Sequence, residues 1–148
     1  MTTLGQPERA TQNRILVLFR EELGYRYLGD WTDRARNSNI EEVPLTAHLA
    51  AVGYSPEQIS RAIYLLRVEA DNPNRNLYDN NKAVYGLLRY CVPVKVEAGK
   101  VTETVKLIDW ARPRANDFAI AEEVTLRGHR ERRPDLVLYV NGIALGVI

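Results

Sequence analysis

The final stretch, Arg133 to Ile148, constrains the chain more than any other. Apolar and β-branched residues run on both sides of Asn141-Gly142, and that pair between two such runs is the strongest short-range signal for a β-hairpin. Asp135 stands at the head of the first strand, directly after Pro134. An ionised carboxylate at the start of an apolar strand needs a partner, a cation or water. The second strand stops in mid-run at Ile148, so the chain reads as a fragment cut inside its own hairpin.

With 148 residues, the chain is one domain or part of one, long enough for a real core. Apolar residues make up 45% and charged residues 26%, which suits a soluble globular protein and argues against disorder. A formal net charge of +1 speaks neither for nor against a nucleic-acid partner, so that case rests on local clustering. The single cysteine, Cys91, excludes an internal disulfide framework and fits a reducing compartment. Neither a secretory signal nor an apolar run of membrane-spanning length is present, so no membrane partner and a cytoplasmic location are expected.

From the amino terminus, Pro7 opens a helix on which Ile15, Phe19 and Leu23 recur every four residues, and Gly24 ends it. Glu8 and Gln12 share one side of this helix. Tyr25 to Asn39 reads as irregular, with Tyr25, Tyr27 and Trp31 interleaved with Arg34 and Arg36. Such a mixture suits a nucleic-acid strand or, more plainly, a surface loop anchored by its rings. A short helix is expected from Pro44 to Val52, carrying His48 without a partner at ligand spacing. Ser55-Pro56-Glu57-Gln58 is a capping box that starts a helix ending at Asp71-Asn72-Pro73. Asp79 is expected to cap another helix running to Cys91, so residues 40–91 form a helical insertion whose work is packing.

Near Tyr90 the apolar period changes from helical to two. Val92, Val94 and Val96 form a strand that Pro93 confines to an edge, and Val101 to Ile108 return beside it. Phe118 to Leu126 makes a further strand, with Phe118, Ile120, Val124 and Leu126 on one face and Ala119, Ala121 and Thr125 on the other. Glu122 and Glu123 interrupt it on opposite faces, so one acid points among apolar neighbours unless a bulge intervenes. The connection from Arg127 to Arg133 carries four arginines, His129 and one acid, and leads straight into Asp135.

Arg133-Pro134-Asp135, an apolar strand, Asn141-Gly142 and a second apolar strand resemble the nuclease motif in the restriction (R) subunit of type I restriction–modification enzymes, in the PD-(D/E)xK superfamily. Asn116-Asp117-Phe118 matches the family's Asn-x-Phe before its preceding strand, and Leu23-Gly24-Tyr25 matches the end of its first helix. The resemblance covers nearly the whole chain and is most specific from Asn116 to Ile148. In the family the second strand runs on into Glu-x-Lys, which would begin just after Ile148 and is absent from these residues.

The resemblance implies an α/β (α+β) fold: a restriction-endonuclease-like mixed β-sheet flanked by helices, with the 40–91 insertion. It implies Mg²⁺-dependent hydrolysis of foreign DNA in the whole protein, with ATP used only by motor domains downstream. No Gly-x-x-x-x-Gly-Lys-Ser/Thr occurs here, so any motor lies outside these residues. Double-stranded DNA and the modification and specificity subunits are the implied partners. Without Glu-x-Lys, the fragment alone is expected to be inactive. Asp135 is the expected metal ligand, with Glu123 as a second catalytic acid because it falls where the family carries a glutamine. Arg127, Arg130, Arg132 and Arg133 are expected to bind DNA, since arginine grips phosphate through its planar fork. Glu8, Gln12, Glu122 and His129 are weaker candidates. The plainer readings are a helix-start acid for Glu8, an exposed strand end for Glu122-Glu123 and a solvated turn for the arginines.

Hairpin geometry sharpens the expectation. With a two-residue loop, Val140 pairs with Ile143, and Asp135 falls opposite Ile148. The next residue would then face away from Asp135, although two ligands of one metal must share a face. The nuclease reading therefore requires a three-residue loop or a bulge elsewhere in the pair. Two alternatives remain: a non-catalytic DNA-binding or subunit-docking domain on this fold, and another PD-(D/E)xK nuclease such as a repair enzyme.

Overall fold

The computed structural model describes residues 6–127 and 130–148. Their contacts fall into two units, one of residues 1–41 with 117–148 and one of residues 42–116. The first holds a mixed four-stranded sheet in the order β1 (Arg26–Asp30), β4 (Phe118–Glu122), β5 (Leu136–Val140), β6 (Ile143–Val147). β1 runs parallel to β4, and the other pairs are antiparallel. The mixed sheet and the adjacency of β4, β5 and β6 are as the sequence predicts.

Alternation sorts the sheet's side chains onto two faces. Ile120 and Leu136 pack with Leu16 of α1 (Gln6–Val17), and Ile15, Phe19, Tyr25, Tyr27 and Leu138 close round them. Ala119, Ala121, Val137 and Tyr139 form the other cluster, together with Trp31 and Val124. The helix expected up to Leu23 is α-helical only to Val17; Leu18–Glu22 is wound as a π-helix before Gly24 at φ +73°.

Two expectations need correction here. Tyr25 to Asn39 is not wholly irregular, because Arg26–Asp30 is the edge strand β1. Its signal is obscured by Gly29 and by an irregularity between Tyr27 and Gly29. The strand from Phe118 stops at Glu122 rather than Leu126, because Glu123 takes φ +50°. That left-handed residue turns Val124 onto the Ala119–Ala121 face instead of the Ile120 face.

Residues 42–116 hold α2 (Glu42–Val52), α3 (Pro56–Ala70), α4 (Leu77–Tyr90) and a ribbon of β2 (Val92–Val94) and β3 (Glu103–Val105). The capping box at Ser55 forms as expected: its hydroxyl accepts from Gln58 N at 3.2 Å, and Gln58 Oε1 accepts from Ser55 N at 2.8 Å. α4 is capped by Asn76, which accepts from Asp79 N at 2.9 Å, so Asp79 is a first-turn residue and not the cap. The ribbon is shorter than alternation suggests, and Val96 and Val101 lie outside it. Val92, Val94, Val105 and Leu107 are buried with Ile59, Ile63 and Leu66 of α3 among the core residues of the chain.

Within the sheet unit, the turn Asn141-Gly142 has φ of +52° and +84°, the primed geometry that matches strand twist. Asn141 Oδ1 accepts from Asp117 N at 2.7 Å, while Asn141 N donates to Asp117 O at 2.8 Å. Gly142 O accepts from Glu41 N at 2.8 Å. The last residue before the helical unit and the first after it are thus held at one turn.

Candidate active site

The carboxyl end of β4 meets the amino end of β5. Glu122 pairs with Leu136 across the two strands, so its side chain points to the face on which Leu16 of α1 packs. Only 6% exposed, Glu122 is received by three polar groups. Tyr27 Oη donates to Oε1 in a short hydrogen bond, Gln12 Nε2 donates to Oε2 at 3.2 Å, and Arg9 Nη2 lies 3.2 Å from Oε2. Burial, followed by the bond to Glu122, pushes the Tyr27 phenol up to about 12.

Glu123 reaches the same place by a different route. Its left-handed backbone lets its N–H donate to Asp135 O at 2.8 Å. Its carboxylate takes Gln12 Nε2 at 3.3 Å, Arg133 Nε at 3.1 Å and Arg9 Nη1 at 3.6 Å. Gln12 therefore bridges both acids with one amide nitrogen, which also lies 3.5 Å from Asp135 O. Asp135 itself is exposed, and among the described residues its carboxylate makes no hydrogen bond or ion pair. It borders a cleft of about 330 Å³ with Glu8, Thr11 and Gln12 of α1 and with Ile148.

The hairpin satisfies the register condition by the second of the two allowed routes. The loop has two residues, since Val140 pairs with Ile143. Tyr139 then pairs with Ala144 but Leu138 with Gly146, so Leu145 is an extra, bulged residue. The shift brings Leu136 opposite Ile148, with both backbone bonds made at 3.2 and 2.9 Å. In this register the position facing Asp135 is the one that follows Ile148.

Of the expected site residues, Gln12, Glu122, Glu123 and Arg133 are gathered round one set of contacts, and Glu8 and Asp135 share the adjoining cleft. Arg127, Arg130 and Arg132 are exposed on the connection, where Leu126 and Arg132 exchange backbone bonds at 2.8 and 3.0 Å. His129 lies outside the described residues. Sequence reasoning missed Arg9 and Tyr27. Arg9 was within reach, since it stands three residues before Gln12 on the same helix face. Tyr27 carries no such signal, because the alternation of its strand is broken between Tyr27 and Gly29. Arg34 is committed internally, paired with Glu41 at 2.9 and 3.0 Å and stacked 3.9 Å from the Trp31 ring centroid, which favours the anchored-loop reading of its segment.

Among the described residues, no group of three or more His, Cys, Asp or Glu side chains is placed to hold a metal ion. A larger cavity, about 610 Å³, opens between α2 and α3 within residues 42–116. Among the described residues lining it, the carboxylate of Glu42 and the guanidinium of Arg67 neutralise each other at 2.9 Å, so size does not mark the chemistry here. No helix among the described residues is long and apolar enough to cross a membrane.

A mixed sheet with a helix on one face and acids gathered where two strands meet defines a restriction-endonuclease-like α/β domain. The chain belongs to the family described as type I restriction enzyme R protein N terminus, which matches residues 5–148. It is also 32% identical over 97 residues to a Methanocaldococcus jannaschii protein whose name describes a type I restriction enzyme MjaIXP endonuclease subunit. That similarity covers 62% of this chain and 9% of the relative, so the chain corresponds to a small part of that protein's length.

Proposed function

We propose that residues 1–148 are the amino-terminal part of the DNA-cleaving domain of a type I restriction R subunit, with Mg²⁺-dependent phosphodiester hydrolysis as the activity of the whole protein. The single observation that carries this reading is the Leu145 bulge. It supplies the register that two metal ligands on facing strands require, and a plain two-residue hairpin lacks it.

The donor chemistry fits the ion. Mg²⁺ takes oxygen ligands, keeps several waters and needs only one or two protein carboxylates. Asp135 is an exposed carboxylate without a bonded partner among the described residues and would hold the metal. Bound there, the ion would supply an activated water and shield the charge that develops on phosphate. The chain's own residues prepare the surroundings. Gln12 and Arg9 fix Glu122 and Glu123 at the strand junction, and Glu123 N holds the Asp135 carbonyl. Arg127, Arg130, Arg132 and Arg133 give the approach to Asp135 a positive charge for the DNA backbone. Double-stranded DNA and the modification and specificity subunits are the partners this reading entails, and a motor elsewhere in the protein would use the ATP.

The test is calorimetric titration of Mg²⁺ or Mn²⁺ into residues 1–148 and into a chain extended with the native sequence that follows, each with and without Asp135→Ala. We expect weak binding to residues 1–148, tighter binding to the extended chain and loss with Asp135→Ala. Residues 1–148 alone are expected not to cleave DNA, because the family's Glu-x-Lys is not among them. Tight binding that survives Asp135→Ala would remove Asp135 from the site. One observation favours a second reading, a non-catalytic DNA-binding or docking domain: both neighbouring acids are already neutralised by Arg9 and Arg133. Metal-independent DNA binding by an extended chain that never cleaves would support it.

A further inference from the structure

The helical unit carries a surface that the nuclease reading does not use. On α4, Tyr78, Lys82, Tyr85 and Arg89 recur at intervals of four, three and four residues, so they stack along one side of the helix. All four are exposed, with Tyr78 at 73% and Tyr85 at 58%. Asn80 on the opposite side is buried, and Leu88 is buried on the flank of the row. The row does not stop at Arg89. Its guanidinium carbon lies 5.6 Å from the ring centroid of Trp110, which is half exposed. Trp110 is held in place by its indole N–H, which donates to Leu88 O at 2.7 Å. The outward order is therefore ring, cation, ring, cation, ring.

Large rings held half or more in water, alternating along the row with cations, suit a ligand that offers flat π-faces and negative charge in alternation. The only acid of α4, Asp79, lies about 100° of helix rotation from Tyr78 and about 60° from Lys82, at the margin of the row. From Tyr78 to Arg89 the row is roughly 16 Å long, the length of about five stacked nucleotides in one strand. A duplex hides its base faces, so rings of this kind favour an unpaired strand.

We propose that the Tyr78–Lys82–Tyr85–Arg89–Trp110 row binds single-stranded nucleic acid, with bases on the rings and phosphates on Lys82 and Arg89. The site is separate in sequence from the Arg127–Arg133 connection and does not depend on the nuclease reading. It gives residues 42–116 a task besides packing.

The experiment uses the 1–148 chain and a fluorescent twenty-residue oligothymidylate, followed by anisotropy across a salt series, with a twenty-base-pair duplex as the second probe. Tyr78→Ala with Tyr85→Ala should weaken the single strand by about tenfold or more and leave the duplex nearly unchanged. Lys82→Gln with Arg89→Gln should reduce the single-strand salt slope by about 1.4, the value for two phosphate contacts. The oligonucleotide should also quench the tryptophan emission, since Trp110 is the exposed one of the two and Trp31 is buried. These surface variants keep the buried residues of α4, and an unchanged urea midpoint checks their fold. Single-strand binding that is indifferent to both double variants, or that vanishes only when the arginines of 127–133 become glutamine, would overturn the proposal. So would equal loss on the duplex. Loss of a protein subunit's binding, with oligonucleotide binding intact, would reassign the row to a protein interface.

Discussion

Gln12 shows how much one amide can organise. A buried Glu122 and a half-buried Glu123 meet at a strand junction, where two negative charges would otherwise repel. Gln12 Nε2 lies within bonding distance of both, and Arg9 adds the countercharge. Replacing Gln12 by leucine keeps similar bulk but removes the donor, so stability should fall by about 1–3 kcal/mol. Urea denaturation measures it, and a neutral result would mean that Arg9 and Tyr27 suffice. Tyr27 adds a pH dependence. Folding holds its phenol at about 12, against about 10 in an unfolded chain. The protonated ring is thus favoured by folding, and its contribution is complete below pH 10 and lost as pH rises towards 12. Tyr27→Phe should lower the urea midpoint at pH 8 and flatten its decline between pH 10 and 12. An unchanged decline would assign it to other groups.

At the level of elements, the hairpin was legible and its register was not. Asn141-Gly142 announces the turn because two adjacent residues there tolerate positive φ. Gly142→Ala should cost about 1–2 kcal/mol for the strained backbone, read from the urea midpoint. A cost near zero would mean that the turn has another geometry. The Leu145 bulge left no mark, since an extra leucine among apolar neighbours looks like any strand residue. It shows only in the strand pairing, beside the place where Gly146 meets Leu138. The capping box was readable in full because its partners lie three residues apart. β1 was not, because its pairing comes from β4, with Arg26 opposite Ala119, and local alternation is broken at Gly29. Glu123 likewise takes a left-handed backbone that no residue type announces. In the candidate site, the acids and arginines near Asp135 were visible as types, while Arg9 and Tyr27 became visible only through contacts across the fold.

At the level of the whole molecule, residues 42–116 leave and rejoin the sheet unit at positions bonded to one turn. A linker of about nine residues should therefore replace them, and loop-closure entropy favours the shorter connection by about 2 kcal/mol. Such a chain should keep a strand-type circular dichroism spectrum and unfold cooperatively in urea. A chain without cooperative unfolding would show that the sheet unit depends on the helical one.

The same excursion sets a timetable. β1 is made early, yet its partner β4 follows about ninety residues later in synthesis. At about 5–20 residues per second, Leu16, Leu28 and Trp31 leave the ribosome some ten seconds before the strands that cover them. The helices between them make mostly local contacts and can settle during that wait. The nascent chain therefore passes through a stage in which its helical middle is finished while its first strand still has a bare edge. Until β4 arrives, both edges of that strand are templates for pairing with another chain.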